Sequence, residues 1–175
     1  MLVTEQQRLK DDIGRWVQRY GAQRSALIPV LQEIQAKYSQ VSEYAMQEAA
    51  DHLGIHTVDV YSVVTFYAFL AEAYQGKFVI RLCRTISCDM AGKTRVARQL
   101  ENDLGITFGQ TTKDGKFTLE WANCIGMCDQ GPALLVNDHV FTSVTSEKVH
   151  DILELCRKSF GPLAVHDNRH EEARQ

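Results

Sequence analysis

Two pairs of cysteines constrain this chain more than any other feature of its sequence. Cys83 and Cys88 form a C-x4-C pair in CRTISC, and Cys124 and Cys128 form a C-x3-C pair in CIGMC. The second pair lies in NCIGMCDQGP, whose glycines supply backbone freedom rather than side chains for packing. Pro132 prevents simple continuation as a helix and favours an extended residue before it. The stretch therefore predicts a loop that presents sulfur to a ligand.

Four thiols in two pairs suit three kinds of site. Structural zinc takes four tetrahedral ligands, and these two spacings lie at the margin of the usual zinc pattern. Disulfides or a thioredoxin-type dithiol are less favoured, because reducing compartments disfavour disulfides and the C-x-x-C motif is absent. A two-iron, two-sulfide cluster takes four thiolates, and one pair can serve each iron. The spacing leaves both zinc and the cluster open.

The residues around the cysteines suit an anionic centre. A cluster held by four thiolates carries negative charge, which backbone N–H groups and cations must offset. Gly126 can turn its N–H toward sulfur, and three cations, Arg81, Arg84 and Lys93, lie close to the first pair in the sequence. Each cation taken alone is also compatible with a surface side chain that only faces water. The fifth cysteine, Cys156, falls on the inward face of the last predicted helix, which predicts a buried and inert thiol.

Hydrophobic periodicity predicts four helices within residues 1–75. Ser42 is placed to cap the third, EYAMQEAADHL, and Gly54 to close it. Thr57 is placed to cap the fourth, which we predict to run through VDVYSVVTFYAFL. That helix is apolar almost all round, so we expect it to be buried or to contact another surface.

The second half of the chain predicts a strand, a helix, a second strand, a hairpin and a last helix. The strand KFVIRLC is followed by the helix GKTRVARQLENDLG. KFTLEWAN alternates, which places Thr118 and Glu120 on the face opposite Phe117, Leu119 and Trp121. A hairpin with its turn at residues 137–139 and a last helix capped by Ser146 complete an α/β sandwich of thioredoxin type.

We therefore predict an N-terminal helical bundle followed by a small domain of thioredoxin type, an α+β architecture with an α/β second half. The predicted boundaries are 1–75 for a helical docking domain, 76–164 for the domain that carries the cysteines, and 165–175 for a polar tail.

Composition and missing motifs exclude several functions. A net charge of −3 gives no reason to expect nucleic acid as a partner. Ala50, Gly54 and Val60 match the spacing of a helix-turn-helix, but the helix that would enter the DNA groove contains no Lys or Arg to contact phosphates. No apolar run approaches a membrane span, and the first residues lack the pattern of a secretory signal, so we expect a cytoplasmic protein without membrane insertion. Neither G-x-G-x-x-G nor a P-loop is present, so dinucleotide binding by this chain alone is not expected.

The motifs resemble those of a known family, the small iron–sulfur subunit of the NADH-oxidising module of respiratory complex I. Related subunits and domains occur in NAD(P)-linked hydrogenases and formate dehydrogenases. The positions that match the family's C-terminal signature are Asp114, Phe117, Thr118, Cys124, Gly126, Cys128, Gly131 and Pro132. Ile125 departs from it, since the family usually has Leu, Phe or Tyr there. Upstream, Thr65-Phe66-Tyr67 looks like the family's Thr-Phe-Tyr run.

The resemblance implies an N-terminal helical bundle followed by a thioredoxin-like ferredoxin domain. It implies that one [2Fe–2S] cluster is bound there by Cys83, Cys88, Cys124 and Cys128. It also implies a partner, a larger flavoprotein subunit that holds FMN, NAD(P) and a [4Fe–4S] cluster, together with further iron–sulfur subunits. On this interpretation the chain is an electron-transfer subunit of an NAD(P)H-oxidising or NAD(P)-reducing complex. We expect it to have no catalytic residues of its own and not to oxidise NAD(P)H by itself. The alternative is a zinc-stabilised protein-interaction module without redox activity.

Overall fold

The structure is a computed structural model, and it describes residues 4–159. Contacts divide the chain into two compact units between Gln75 and Gly76. The end of the predicted second domain and the predicted polar tail lie outside the described residues. No helix within residues 4–159 is both long and apolar enough to cross a membrane.

The first unit contains four helices: α1 (Glu5–Tyr20), α2 (Leu27–Tyr38), α3 (Glu43–Leu53) and α4 (Thr57–Phe66). Their apolar faces form one core, whose fully buried members include Ile13, Leu31, Ile34 and Val60. The predicted limits of α3 are confirmed. Ser42 Oγ accepts a hydrogen bond from the Ala45 N–H at 3.3 Å, and Gly54 follows in the left-handed conformation.

The fourth helix differs from the prediction at both ends. Its N-cap is His56, which makes no side-chain capping bond, while the hydroxyl of Thr57 instead donates to Gln47 Oε1 at 2.8 Å. The helix stops at Phe66 rather than continuing through Leu70, because Tyr67 adopts an extended backbone. The residues after Phe66 are as apolar as those of the helix, so the sequence pattern did not indicate where the helix ends.

A buried carboxylate lies within this helical unit. Asp12 is only 3% exposed, and it forms ion pairs with Arg15 and Lys37. The Tyr38 hydroxyl also donates to Asp12 Oδ2 at 2.7 Å. Because an unpaired buried charge is costly, these three partners make the carboxylate compatible with the core and join α1 to α2.

The second unit is a four-stranded sheet of order β2-β1-β3-β4. Its strands are β1 (Phe78–Cys83), β2 (Phe117–Ala122), β3 (Leu134–Val136) and β4 (His139–Phe141). β1 and β2 are parallel, whereas β3 runs antiparallel to both β1 and β4. The parallel pair brings the carboxyl ends of β1 and β2 to the same edge of the sheet.

Three helices belong to this unit: α5 (Ile86–Met90), α6 (Lys93–Leu104) and α7 (Ser146–Ser159). α6 and α7 pack on one face of the sheet, where Ile80 and Leu119 meet Leu100 and Leu153 in a buried core. The predicted element order is observed with one addition, the short helix α5 inside the first cysteine loop.

The predicted cap of the last helix is wrong. The cap of α7 is provided by Thr145, whose Oγ1 accepts from the Lys148 N–H at 3.4 Å, and Ser146 is the first helical residue. Thr118, which the alternation places opposite Phe117 and Leu119, is only 4% exposed, and its hydroxyl accepts from the Gly76 N–H at 2.6 Å.

Candidate metal centre

The two cysteine loops begin side by side because their strands are parallel neighbours. Cys83 is the last residue of β1, and its register partner on β2 is Ala122, which lies two residues before Cys124. The Arg84 N–H donates to the Ala122 carbonyl at 2.9 Å, which extends the pairing beyond the end of β1. The sheet therefore delivers both loops to one edge.

The first loop is short and buries its two thiols. Cys83 and Cys88 are each 1% exposed. Between them, Thr85 adopts an extended backbone at the start of α5, and its hydroxyl lies 3.1 Å from Cys83 Sγ. The loop thus already supplies a hydrogen-bonding group to the first sulfur.

The second loop leaves its thiols in contact with solvent. Cys124 and Cys128 are exposed, and their Sγ atoms lie 3.3 Å apart. Between them Gly126 has φ +85°, a backbone region that other residues rarely occupy. A single turn of 3-10 helix, Cys128–Gln130, follows, and then Gly131 is extended before Pro132 as predicted.

The two loops are held together by hydrogen bonds and by packing. The Cys83 N–H donates to the carbonyl of Ala133, just beyond the second loop, at 3.1 Å, and Arg84 Nε donates to Asn123 Oδ1 at 3.2 Å. Cys83, Cys88 and Ala133 form a small buried cluster, against which Ile125 and Met127 of the second loop pack. The buried pair of thiols therefore lies directly against the second loop.

Gly131 packs closely against the first loop and against Ala91, the residue that follows α5. A Cβ at this position would lie 3.3 Å from Ala91 Cβ and 3.5 Å from Cys88 Sγ. The absence of a side chain therefore lets the second loop approach Cys88, a role that the sequence alone indicates only as backbone flexibility.

The protonation of the thiols reflects these surroundings. Burial opposes ionisation of Cys83, but hydrogen bonds from the Thr85 hydroxyl and N–H, from Cys88 and from the Ile125 N–H outweigh it and hold its pKa below the ordinary value. Burial and the neighbouring Cys83 raise the pKa of Cys88. The adjacent sulfur of Cys124 raises the pKa of Cys128. These shifts leave the thiol of Cys83 easier to ionise than those of Cys88 and Cys128.

The donor set is compatible with a group that takes thiolates in pairs. Within residues 4–159, no three His, Cys, Asp or Glu side chains are placed to hold one metal ion. The Cys124 and Cys128 sulfurs lie 3.3 Å apart, and the Thr85 hydroxyl lies 3.1 Å from the Cys83 sulfur, where it can donate to a thiolate. Such an arrangement can give one pair of ligands to each of two irons.

Several groups at this edge were not found from the sequence. Thr85 and Ser87 both lie within CRTISC, and two hydroxyls inside a cysteine loop are a signal that could have been used. The packing of Ile125 against the buried Cys83, Cys88 and Ala133 was also not predicted, because it joins residues that are far apart in the sequence.

Cys156 lies apart from this edge, as predicted. It is 3% exposed and packs in the core between the sheet and α7. Burial raises its pKa to about 11, so the thiol stays protonated near neutral pH.

Relatives of known function share most of this chain. It is 32% identical over 149 residues to a subunit of the NADH-quinone oxidoreductase of Rhizobium meliloti, covering 85% of this chain and 89% of the relative. It is 30% identical over 149 residues to the alpha subunit of the NAD-reducing hydrogenase HoxS of Cupriavidus necator, covering 85% of this chain and 25% of that longer protein.

Solved structures show the same fold. A chain of the NAD+-reducing [NiFe]-hydrogenase in the H2-reduced state superposes with a TM-score of 0.68 at 18% identity, over 81% of this chain and 24% of that chain. This chain therefore spans about a quarter of that hydrogenase chain. The sequence model of the thioredoxin-like [2Fe–2S] ferredoxins matches residues 13–157. The fold, the paired cysteines and this match agree, and the chain belongs to the thioredoxin-like [2Fe–2S] ferredoxin family.

Proposed function

We propose that this chain is a one-electron carrier whose [2Fe–2S] cluster is bound by Cys83, Cys88, Cys124 and Cys128. The observation that carries the proposal is the pair of cysteine loops packed together at one sheet edge, in a member of a [2Fe–2S] family. When bound, the cluster accepts and releases single electrons, while the protein sets its potential and exposure. A zinc-stabilised module has no support from the family match.

The chain's own groups are suited to holding a centre whose negative charge increases on reduction. The hydroxyl of Thr85 lies 3.1 Å from Cys83 Sγ, where it can donate to a thiolate, and Arg84 and Lys93 place cations at the same loop. Such donors stabilise thiolate ligands and favour the reduced state.

The two pairs differ in their access to a partner. Cys83 and Cys88 are buried, whereas Cys124 and Cys128 are exposed. Ile86 and Met90, one turn apart on α5, are 71% and 85% exposed. The exposed cysteine pair and this apolar helix face are the surface through which we expect electrons to enter and leave.

We further propose that the chain works inside an NAD(P)H-oxidising or NAD(P)-reducing complex of the complex I, hydrogenase or formate dehydrogenase type. The relatives with the matching sequences are subunits of an NADH-quinone oxidoreductase and of an NAD-reducing hydrogenase. The partner would be a larger flavoprotein subunit that carries FMN, the NAD(P) site and a [4Fe–4S] cluster, with further iron–sulfur subunits beyond it, in the cytoplasm.

The helical unit is our candidate docking domain. α4 buries Val60 and Val64 in its own core but leaves Val58, Tyr61 and Phe66 exposed, at 69%, 49% and 78%. An exposed apolar surface of this kind on a small unit favours contact with another subunit.

Anaerobic purification of the full chain tests both proposals. We expect coloured protein with iron and acid-labile sulfide in equal amounts, and little NADH oxidation until the flavoprotein partner is added. Native mass spectrometry of the assembly from its own cells would name the partners. Colourless protein with zinc as its bound metal would overturn the carrier function, and rapid NADH turnover by the chain alone would overturn the division of labour.

A further inference from the structure

Lys93, the first residue of α6, occupies an unusual position for a lysine. Its side chain is only 13% exposed, although long cationic side chains normally extend into water. It also lies at a helix N-terminus, where the helix dipole disfavours a positive charge. Contacts with other groups must therefore offset both costs.

Those contacts are with the first cysteine loop, with the residue that follows it, and with β2. Lys93 Nζ donates to the Arg84 carbonyl at 3.2 Å and lies 3.4 Å from Asp89 Oδ1. Arg84 and Asp89 directly follow Cys83 and Cys88. The ammonium group also lies 5.6 Å from the centre of the Trp121 ring, near the end of β2.

These contacts hold a positive charge beside the first cysteine pair. The ammonium group donates to the carbonyl of the residue after Cys83, and the next residue, Thr85, places its hydroxyl 3.1 Å from Cys83 Sγ. Because the Lys93 side chain is only 13% exposed, water and salt screen its charge less than they screen that of a surface lysine.

Arg84, the residue that accepts from Lys93, is also held to the second loop. Arg84 Nε donates to Asn123 Oδ1 at 3.2 Å, and Asn123 directly precedes Cys124. The Arg84 N–H donates to the Ala122 carbonyl at 2.9 Å. Because Arg84 is fixed on this side, its hydrogen bond with Lys93 keeps the ammonium group at a defined place beside Cys83.

We propose that Lys93 raises the reduction potential of the cluster by holding a positive charge at the Arg84 carbonyl, beside Cys83. Reduction adds negative charge to the cluster, so a nearby and weakly screened cation stabilises the reduced state more than the oxidised one. This inference rests on the proposed function, because it requires a bound [2Fe–2S] cluster.

Redox titration of the full chain with its cluster, followed by electron paramagnetic resonance, tests the inference. Lys93→Met removes the charge and the donor but retains the length of the stem, and we expect a more negative midpoint potential. Lys93→Arg keeps the charge and should stay close to wild type. Lys148→Met is the matched control, because Lys148 Nζ also donates to a backbone carbonyl, that of Ser143 at 3.0 Å; its potential should be unchanged.

The outcomes separate this role from a structural one. If Lys93→Met has the wild-type potential, or if Lys93→Met and Lys93→Arg shift it equally, the inference is wrong even where both release iron faster. If Lys93→Met takes up no cluster, Asp89→Asn provides the test. It removes the carboxylate that pairs with the Lys93 ammonium group, and we expect a more positive midpoint potential. An unchanged potential in Asp89→Asn would reject the inference. Wild-type protein that binds no [2Fe–2S] cluster would instead reject the proposed function.

Discussion

Arg84 Nε donates a hydrogen bond to Asn123 Oδ1 at 3.2 Å, from the first cysteine loop to the residue just before the second. This bond links residues that are far apart in the sequence but adjacent at the ends of two parallel strands. The Ile125 side chain also packs against the buried Cys83 and Cys88, so the two loops form one packed structure.

The ligand assignment predicts a clear division among the cysteines. We expect Cys83→Ala, Cys88→Ala, Cys124→Ala and Cys128→Ala each to lose most of the iron and sulfide, because each removes one of four ligands. Cys156→Ala should keep full iron content and lose only about 1 kcal/mol of stability from a small cavity. Metal analysis and visible absorbance measure both effects. A bleached Cys156→Ala protein beside a coloured Cys88→Ala protein would contradict the assignment.

Thr85→Val should change the potential without removing the cluster. Valine has nearly the shape of threonine but lacks the hydroxyl that lies 3.1 Å from Cys83 Sγ. A lost hydrogen bond to the reduced state is worth about 1 kcal/mol, which corresponds to a potential roughly 40 mV more negative for one electron. Redox titration gives the value. The exposed Thr107 provides the control, and an equal shift in Thr107→Val would mean that the hydroxyl at Cys83 has no specific effect.

Gly131→Ala should weaken cluster retention. The added Cβ would lie 3.3 Å from Ala91 Cβ, so the two loops must separate by a few tenths of an ångström. We expect faster loss of iron to a chelator and a stability loss of about 1 kcal/mol. Gly14→Ala is the comparison, because its Cβ would meet only His52 at an ordinary 3.5 Å and alanine favours a helix. Iron release from Gly131→Ala at the wild-type rate would show that this close approach is unimportant.

Cys156 should be protected from alkylation in the folded protein. Its pKa of about 11 leaves roughly one thiol in a thousand ionised at pH 8, and its side chain is buried. After iron is removed, we expect iodoacetamide to label the exposed Cys124 and Cys128 first and Cys156 only in denaturant. Reactivity should increase as pH rises toward 11, since the thiolate is the reacting form. Peptide mass spectrometry locates the labels, and early modification of Cys156 in folded protein would show that it is accessible.

Asp12→Ala should destabilise the helical unit. The substitution leaves Lys37 and Arg15 without their buried partner and removes the acceptor of the Tyr38 hydroxyl. Because Arg15 and Lys37 are 71% and 51% exposed, their charges can turn to water, and we expect the lost hydrogen bonds to cost about 1–3 kcal/mol. Denaturation followed by far-ultraviolet circular dichroism measures the loss. The neighbouring exposed Asp11, whose carboxylate accepts a hydrogen bond from the Gln7 side chain at 3.0 Å, gives the control. A loss of similar size in Asp11→Ala would refute the account based on the buried carboxylate.

The sequence predicted those features that depend on local chemistry. Ser42 and Gly54 define the limits of α3, because a capping hydroxyl and a left-handed glycine act within a few residues. The turn at Asn137 was found for the same reason, and its φ of +53° suits asparagine. The cysteine pairs were recognised because thiols at these spacings have few alternative uses.

What the sequence did not predict depends on contacts between distant residues. Thr118 is buried because Gly76 supplies a hydrogen bond from another part of the chain. The helix α5 is only five residues long, which is too short for a periodic pattern to be visible. The packing of Ile125 against Cys83 and Cys88, and the contacts of Lys93, arise only when the two loops meet at the sheet edge.

The sheet also affects how quickly an electron can be exchanged. The Cys83 N–H donates to the Ala133 carbonyl at 3.1 Å, so the peptides beside the sulfurs are fixed by strand pairing rather than by the cluster. Dipoles held in this way need little reorientation when charge arrives or leaves. A small reorganisation energy follows, and tunnelling distance to the neighbouring redox centre then becomes the main control on the rate.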